Sequence, residues 1–195
     1  MTTELYPAPT FPVSEPLKWQ APDKVELTST QHDWLCFEGS LTQRLKSNCG
    51  HFEVRLLGQQ EMLPHDEECR RLKQSQPAVV REVLLYCDGK PWVFARSIFA
   101  KSAENNEQLQ LSELGNRSLG DSLFQREDLT SGPIEVATVA ESHVIGKLNQ
   151  QWFSQSKPLL GRRRIFSTAG EQLLVSEVFL TSSPLYDHVL EVQSK

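Results

Sequence analysis

Largely apolar, β-rich runs with few polar positions occur in two pairs of neighbouring segments along the chain, and this pattern predicts β-hairpins. Residues 78–87 and 91–100 are β-rich and flank the sequence Asp-Gly-Lys at 88–90. An Asp-Gly step between two such runs is a strong hairpin signal. Residues 162–167 and 173–180 form the second pair, joined by a short loop that contains a glycine. We therefore expect an antiparallel sheet.

Helical spacing is found in shorter segments between these strands. Apolar residues of 31–47 fall near helical positions and are interrupted by a Gly-Ser pair, which predicts two helical segments. Residues 107–124 predict further helical turns, with Ser118 as a helix cap. The remaining elements are expected at 51–57 (strand), 58–76 (loop with a short helix) and 134–140 (strand). Hairpins with two or three helices are typical of an α+β domain.

The start of the chain differs from the rest because its first 30 residues hold five of the eleven prolines. Each proline removes a backbone donor and biases the preceding residue towards extended geometry. We therefore predict an irregular N-terminal arm at 1–30, one domain at 31–186 and a C-terminal tail at 187–195.

Composition limits the classes of function. The 195 residues suffice for one domain, since a typical domain has about 150. A net charge of −5 argues against a nucleic-acid binder and against a polybasic membrane anchor. No stretch approaches the ~18 consecutive apolar residues of a membrane span, and no secretory signal is recognisable. We therefore expect a cytoplasmic protein whose four cysteines are reduced thiols.

Two charged residues stand among apolar neighbours on one face of a predicted strand: Arg81 within 78–87, and Glu177 within 173–180. Both faces of 78–87 are largely apolar, which predicts a central strand covered on both sides. Because a buried unpaired charge costs several kcal/mol or more, each residue needs a partner. Two interpretations stay open. Arg81 and Glu177 form a structural ion pair, or they bracket a pocket in which Arg81 binds a carboxylate and Glu177 serves proton chemistry.

The other polar residues give weaker signals. Arg96 lies on an aromatic strand face, and two interpretations stay open: it stacks on Trp92 or Phe94, or it belongs to a pocket as Arg81 does. The three arginines at 162–164 stand at the start of a predicted strand, so we expect a solvated strand end rather than a nucleic-acid site. The five histidines are scattered without metal-ligand spacing, and no nucleotide-binding motif occurs. Neither a metal nor a cofactor is therefore indicated.

An ordered set of segments carries a further signal. The segments are Trp34-Leu35, Ser40-Leu41-Thr42-Gln43-Arg44, Val80-Arg81-Glu82-Val83-Leu84-Leu85, Asp88-Gly89-Lys90-Pro91-Trp92 through Ala95-Arg96, Leu114-Gly115, Ser118-Leu119-Gly120, Leu123-Phe124, Gly161-Arg162-Arg163-Arg164, Leu174, Glu177-Val178-Phe179-Leu180 and Ser183-Pro184-Leu185-Tyr186. Taken in order, these segments resemble the chorismate pyruvate-lyase family. The resemblance covers about residues 31–186, and it depends on the ordered set rather than on any one motif.

The resemblance implies a monomeric, single-domain α+β enzyme with a six-stranded antiparallel sheet. The family's site is buried beneath helical flaps and needs no metal or cofactor. Its members remove the enolpyruvyl group of chorismate, which yields 4-hydroxybenzoate and pyruvate in the first step of ubiquinone biosynthesis. The implied partners are therefore the small-molecule substrate chorismate and the product 4-hydroxybenzoate, with no nucleic acid and no membrane insertion.

The resemblance also places the family's functional groups on individual residues of this chain. The carboxylate-binding arginine falls on Arg81, and the acidic residue at the hydroxyl end of the product falls on Glu177, which makes these two the implied catalytic residues. The substrate-binding backbone amides fall on Leu41 and Leu119, and a further arginine falls on Arg96. Leu41 stands where we expect methionine in the best-known relatives, a mild change if the contact is through the amide. Whether Glu177 removes a proton or only orients the substrate hydroxyl stays open.

A second class of function is a binding domain without catalysis. The ligand-binding domains of some transcription regulators resemble the same fold and sense small acids. They normally follow a winged-helix DNA-binding domain, for which residues 1–30 are too short and too rich in proline. Retention of both Arg81 and Glu177 favours the enzyme.

Overall fold

The protein folds around one antiparallel β-sheet, as seen in a computed structural model that describes residues 5–187. The strands are β1 (Phe52–Met62), β2 (Ala78–Cys87), β3 (Lys90–Phe99), β4 (Thr130–Ser131), β5 (Glu135–Val139), β6 (Leu159–Thr168) and β7 (Glu171–Phe179). The helices are α1 (Ser29–Leu35), α2 (Leu41–Ser47), α3 (Asp66–Leu72), α4 (Lys101–Glu104), α5 (Leu119–Leu123) and α6 (Val144–Phe153). Short 3₁₀ turns occupy Pro22–Lys24, Leu111–Glu113 and Pro184–Tyr186.

The strands of the described residues follow the order β1-β2-β3-β7-β6-β4, and β5 also pairs with β6. All pairings are antiparallel, which confirms the predicted type of sheet. The sheet has seven strands instead of the six expected. The additional strand is the two-residue β4, which is too short to leave an alternating pattern in the sequence.

Both predicted hairpins are confirmed, and their turns share one backbone geometry. Asp88 and Gly89 have φ values of 49° and 75°, and Ala169 and Gly170 have values of 52° and 75°. Two successive positive φ values are those of a type I′ turn, whose twist matches that of the flanking strands. Glycine adopts this conformation without steric cost, which explains its place in both turns.

Side chains alternate between two faces of the sheet, and each face has its own cover. The pocket face carries Arg81 and is packed against apolar residues of α1, α2, α4 and α5. The arm face carries Glu82 and is packed against α3, α6 and residues of the N-terminal arm. Every residue of β2 is buried, as predicted for a central strand.

The described part of the N-terminal arm, residues 5–28, lies against the sheet without regular secondary structure apart from one 3₁₀ turn. Gln20 exchanges two backbone hydrogen bonds with Val136, at 3.0 and 2.8 Å. The ring of Phe11 packs directly on Gly58, where a Cβ atom would lie 2.3 Å from the ring. Within residues 5–187 no helix has both the length and the apolarity needed to cross a membrane.

The structure confirms the break between α1 and α2 and changes the boundaries of other elements. β1 extends to Met62, beyond the predicted end at residue 57, and contains an irregularity between Leu56 and Gly58. β6 begins at Leu159, three residues earlier than predicted. Helix α6 was not predicted. The predicted C-terminal tail lies almost wholly outside the described residues.

Candidate active site

A pocket lies between the pocket face of the sheet and the N-terminal ends of α2 and α5. Arg81 and Glu177, the two charged residues singled out in the sequence, both line it. Most of the remaining lining is apolar. These apolar residues are Leu41, Val54, Val83, Leu85, Ala95, Leu119, Leu123, Phe124, Phe166 and Val175.

Arg81 is a buried cation that forms no ion pair with any other residue of 5–187. The residue is 2% exposed, and its Nη2 donates a hydrogen bond to the carbonyl oxygen of Arg117 at 2.9 Å. Its Nη1 is buried and has no hydrogen-bond partner within residues 5–187. Burial lowers the pKa of Arg81 to about 10, so the guanidinium remains protonated near neutral pH. A protonated, buried and incompletely bonded guanidinium requires an anionic partner.

The pocket is covered by the first turns of two short helices, each capped by a serine. At the start of α2, Ser40 Oγ accepts a hydrogen bond from the backbone amide of Gln43. At the start of α5, Ser118 Oγ accepts one from the backbone amide of Asp121. Leu41 and Leu119 are the first residues of these helices. Backbone N–H groups in a first helical turn have no acceptor within the helix. The amides of Leu41 and Leu119 are therefore available to a ligand.

Direct contacts hold the two helix starts together. The hydroxyls of Thr42 and Ser118 share a buried hydrogen bond of 2.6 Å. Gly120 permits this approach, because a Cβ atom there would lie 2.6 Å from Thr42 Oγ1. At the surface, Asp121 of α5 accepts hydrogen bonds from Gln43 and Lys46 of α2, at 2.8 and 2.6 Å. α2 and α5 thus form one joined cover over the pocket.

The carboxylate of Glu177 pairs with Arg162, not with Arg81. Arg162 Nε donates to Glu177 Oε2 at 2.7 Å, and the two side chains are 5% and 15% exposed. The interpretation of Arg81 and Glu177 as a structural ion pair is therefore wrong. The interpretation in which they bracket a pocket agrees with the structure, since both residues line it.

The strand register gives the separation of Arg81 and Glu177. Glu177 lies opposite Ala95 of β3, which lies opposite Val83 of β2, two residues from Arg81. With strands about 4.8 Å apart and a rise of about 3.4 Å per residue, the two α-carbons are ~10 Å apart across the strands and ~7 Å along them. Both side chains project from the same face. A small flat ligand with polar groups at opposite ends fits this arrangement.

Arg96 is not brought to the pocket. It is buried on the arm face, where its Nε and Nη2 donate to the two carboxylate oxygens of Glu68 at 2.8 and 2.9 Å. Its Nη1 donates to Glu82 at 2.9 Å. The sequence placed Arg96 correctly on the aromatic face of its strand, but its contacts are ion pairs rather than ring stacking. The geometry gives no support to Arg96 as a substrate-binding residue.

The arginines at 162–164 do not form a solvated strand end. They are 4–6% exposed, because β6 starts at Leu159 and places them in its interior. Arg162 and Arg164 project from the pocket face, and Arg163 projects from the arm face towards Glu67 and Glu135. Sequence analysis therefore missed Arg162 as a pocket residue. The signal was present, since apolar residues flank the three arginines on both sides.

The polar groups of the pocket favour an organic anion over a metal ion. Guanidinium groups and free helix amides bind oxygen anions, and Arg81, Leu41 and Leu119 supply them. Within residues 5–187, no three or more His, Cys, Asp or Glu side chains are grouped in a way that could hold a metal ion.

Comparison with known proteins gives a match over most of the chain. The family model described as "Chorismate lyase" matches residues 13–191, a range that begins inside the proline-rich segment. A protein of Idiomarina loihiensis named "Probable chorismate pyruvate-lyase" is 62% identical over 186 residues, covering 95% of this chain and 96% of its own length. A protein of Shewanella loihica with the same name is 42% identical over 173 residues, covering 87% and 90%.

Two solved structures of low sequence identity illustrate the similarity of fold. The C-terminal domain of PhnF has a TM-score of 0.52 at 15% identity, covering 75% of this chain and 94% of that domain. The C-terminal domain of the histidine utilization repressor of Pseudomonas syringae pv. tomato has a TM-score of 0.52 at 16% identity, covering 74% and 99%. At such identities the similarity concerns the fold alone.

Proposed function

The chain belongs to the chorismate lyase family, and we propose that it converts chorismate to 4-hydroxybenzoate and pyruvate in the pocket between α2, α5 and the sheet. The observation that carries this proposal is Arg81. A buried guanidinium whose Nη1 lacks a partner is destabilising until an anion fills the pocket. The ring carboxylate, which substrate and product both carry, is such an anion.

The ring carboxylate would be held from two sides. Arg81 would donate from the floor of the pocket, and the amides of Leu41 and Leu119 would donate from its cover. Because the Thr42–Ser118 hydrogen bond joins the two helix starts, both amides reach the ligand as one unit. The amide contact at Leu41 is a main-chain contact, so leucine in place of methionine is compatible with it.

Glu177 would lie at the opposite end of the ring, at the C4 hydroxyl. In the reaction the bond between C3 and the enolpyruvyl oxygen breaks, and C4 loses its hydrogen. The electron pair of the C4–H bond completes the aromatic ring, and the departing enolpyruvyl group takes up a proton at its methylene carbon to become pyruvate. Aromatisation favours the reaction, so the main task of the protein is to hold the substrate in the reactive orientation. Glu177 either accepts the C4 proton or orients the hydroxyl during an internal transfer.

The further properties expected of the family are part of the proposal. Chorismate reaches the floor only when the cover formed by α2 and α5 moves, because both helix starts lie over the pocket. We place the reaction at the first step of ubiquinone biosynthesis, in the cytoplasm, and we propose a monomer that works without metal or cofactor. The domain would comprise 31–186, with 1–30 as arm and 187–195 as tail.

The decisive experiment mixes the protein with chorismate and follows 4-hydroxybenzoate by its ultraviolet absorption and pyruvate by a coupled assay. We expect both products in equal amounts, at a rate that a chelator leaves unchanged. Absence of both products would refute the enzyme. Activity that disappears with a chelator and returns with a divalent ion would refute the metal-free reaction.

The alternative is a domain that binds small acids without converting them, and the observation that favours it is the similarity of fold to the C-terminal domain of the histidine utilization repressor. The same mixture distinguishes the two functions. A binding domain would show saturable binding of 4-hydroxybenzoate with no consumption of chorismate. The family match over residues 13–191 favours the enzyme.

A further inference from the structure

We propose that Arg162 is the positioning residue of Glu177: it holds one carboxylate oxygen in place and leaves the other for the substrate. This inference rests on the proposed function, in which Glu177 contacts the C4 hydroxyl. Sequence analysis assigned Arg162 to a solvated strand end and gave it no role in the site. Arg162 would act through Glu177 rather than on the reacting atoms.

The two oxygens of Glu177 have different surroundings. Oε2 accepts the hydrogen bond from Arg162 Nε at 2.7 Å. Oε1 accepts no hydrogen bond from residues 5–187, and Glu177 lines the pocket. A carboxylate can accept up to about four hydrogen bonds, so binding to Arg162 leaves ample capacity for a ligand hydroxyl. The ion pair thus defines which oxygen faces the substrate.

Arg162 is itself fixed by contacts outside its own strand. Its Nη1 donates to the carbonyl oxygen of Phe37 at 2.8 Å and approaches that of Trp34 at 3.5 Å. Trp34 lies at the end of α1, and Phe37 lies in the connection that leads into α2. The guanidinium therefore connects Glu177 on the floor to the segment that precedes the Leu41 amide in the cover.

The planar guanidinium is suited to this role. Its Nε–H and Nη–H groups point in fixed directions, so one side chain donates to a carboxylate and to a carbonyl at once. A lysine in the same place would keep the positive charge but would lose the fixed geometry. Arg162→Lys should therefore separate the positioning role from simple charge compensation.

Arg164 provides a matched control. It lies two residues further along β6, projects from the same face and is buried to a similar degree. Its guanidinium binds Glu38 at 3.0 Å and the carbonyl oxygen of Gly132 at 3.0 Å, but it neither lines the pocket nor contacts Glu177. The variants Arg162→Lys and Arg164→Lys thus both lose contacts of a buried arginine. Only Arg162→Lys also loses the contact that positions Glu177.

The test measures kcat, the KM for chorismate and thermal unfolding for wild type, Arg162→Lys and Arg164→Lys. We expect kcat to fall about 10- to 100-fold in Arg162→Lys, the usual effect of a misplaced reacting group, and to stay within twofold in Arg164→Lys. Equal kcat values for the two variants, at wild-type folding, would overturn the proposal. Product formation by the wild type tests the proposed function separately.

A double mutant examines whether Arg162 acts through Glu177. In a Glu177→Ala background, Arg162→Lys should change kcat less than about threefold, because the side-chain oxygens that it positions are already gone. If the two losses multiply instead, Arg162 contributes independently of Glu177 and the proposal is wrong.

A crystal structure of the wild-type protein with bound 4-hydroxybenzoate keeps the proposal testable if the Arg162 variants do not fold. We expect Glu177 Oε1 within hydrogen-bonding distance of the ligand hydroxyl while Oε2 stays on Arg162 Nε. A ligand hydroxyl bound by any other group, or a broken Arg162–Glu177 pair, would overturn it.

Discussion

Arg81 and Glu82 are neighbours in β2, but they project from opposite faces of the sheet into different surroundings. On the arm face, Glu82 is fully buried and accepts three hydrogen bonds, from the amides of Val13 and Ser14 and from Arg96. On the pocket face, Arg81 is almost as deeply buried, yet its Nη1 has no partner within residues 5–187.

The difference between the faces shows where the fold leaves a charge unsatisfied. The arm face contains several arginines, and each is paired with at least one carboxylate: Arg71, Arg96 and Arg163. The chain can therefore supply a partner for a buried charge where stability requires one. Among the buried arginines of residues 5–187, Arg81 alone has no paired carboxylate, which supports the proposal that an anionic ligand binds there.

The largest expected effect on the pocket face comes from Glu177→Gln. Glutamine keeps the shape and can still accept from Arg162, but it cannot take a proton. We expect kcat to fall by about 10²–10⁴ if Glu177 is the base, and by less if it orients the hydroxyl. Stability should also fall, because the charge of the buried Arg162 is then left without its carboxylate. Turnover at the wild-type level in a folded variant would contradict the catalytic role.

The next effect contrasts two buried arginines, one from each face. Arg96→Met removes the cation shared by Glu68 and Glu82, and we expect a loss of about 3–5 kcal/mol in the free energy of unfolding. Arg81→Met removes a charge that has no counter-charge, so the unliganded protein should be no less stable than wild type. Urea unfolding of both variants measures the contrast. Equal destabilisation by the two substitutions would remove the distinction between the faces.

A smaller effect is expected at the cover. Ser118→Ala removes the cap of α5 and the hydrogen bond to Thr42, which should cost about 1 kcal/mol and weaken 4-hydroxybenzoate binding a few-fold. Thr28→Ala is the matched control, because Thr28 caps α1 and does not line the pocket. Calorimetric titration should show weaker binding only for Ser118→Ala. Identical affinities in the two variants would argue against a role of the α5 start.

Much of the fold could be predicted from local signals. The Asp-Gly turn and the β-rich runs on either side of it predicted β2 and β3, and the two apolar faces of β2 predicted its central place. Helix α6 and strand β4 were not predicted. β4 has only two residues, and α6 lies between segments with clearer signals. Their positions depend on packing against the rest of the domain.

The site could be predicted in part. A charge among apolar strand residues identified Arg81 and Glu177, but the partner of Glu177 was missed. With a two-residue turn at Ala169-Gly170, the hairpin register brings Arg162 opposite Glu177, as observed. Treating the connection as a five-residue loop concealed that register. The family resemblance placed Arg96 at the site, but Arg96 lies opposite Glu82 rather than Arg81 in the register of β2 and β3, which puts it on the arm face.

The central claim is that Arg81 receives the carboxylate of the ligand, and a calorimetric comparison of two ligands tests it directly. 4-Hydroxybenzoate and its neutral analogue 4-hydroxybenzamide would each be titrated into wild type, Arg81→Met and Arg81→Lys. We expect the wild type to bind the acid more tightly, by about 1.5–3 kcal/mol, with that preference lost in Arg81→Met and only partly retained in Arg81→Lys. A folded Arg81→Met protein that binds 4-hydroxybenzoate as tightly as the wild type does would contradict the account.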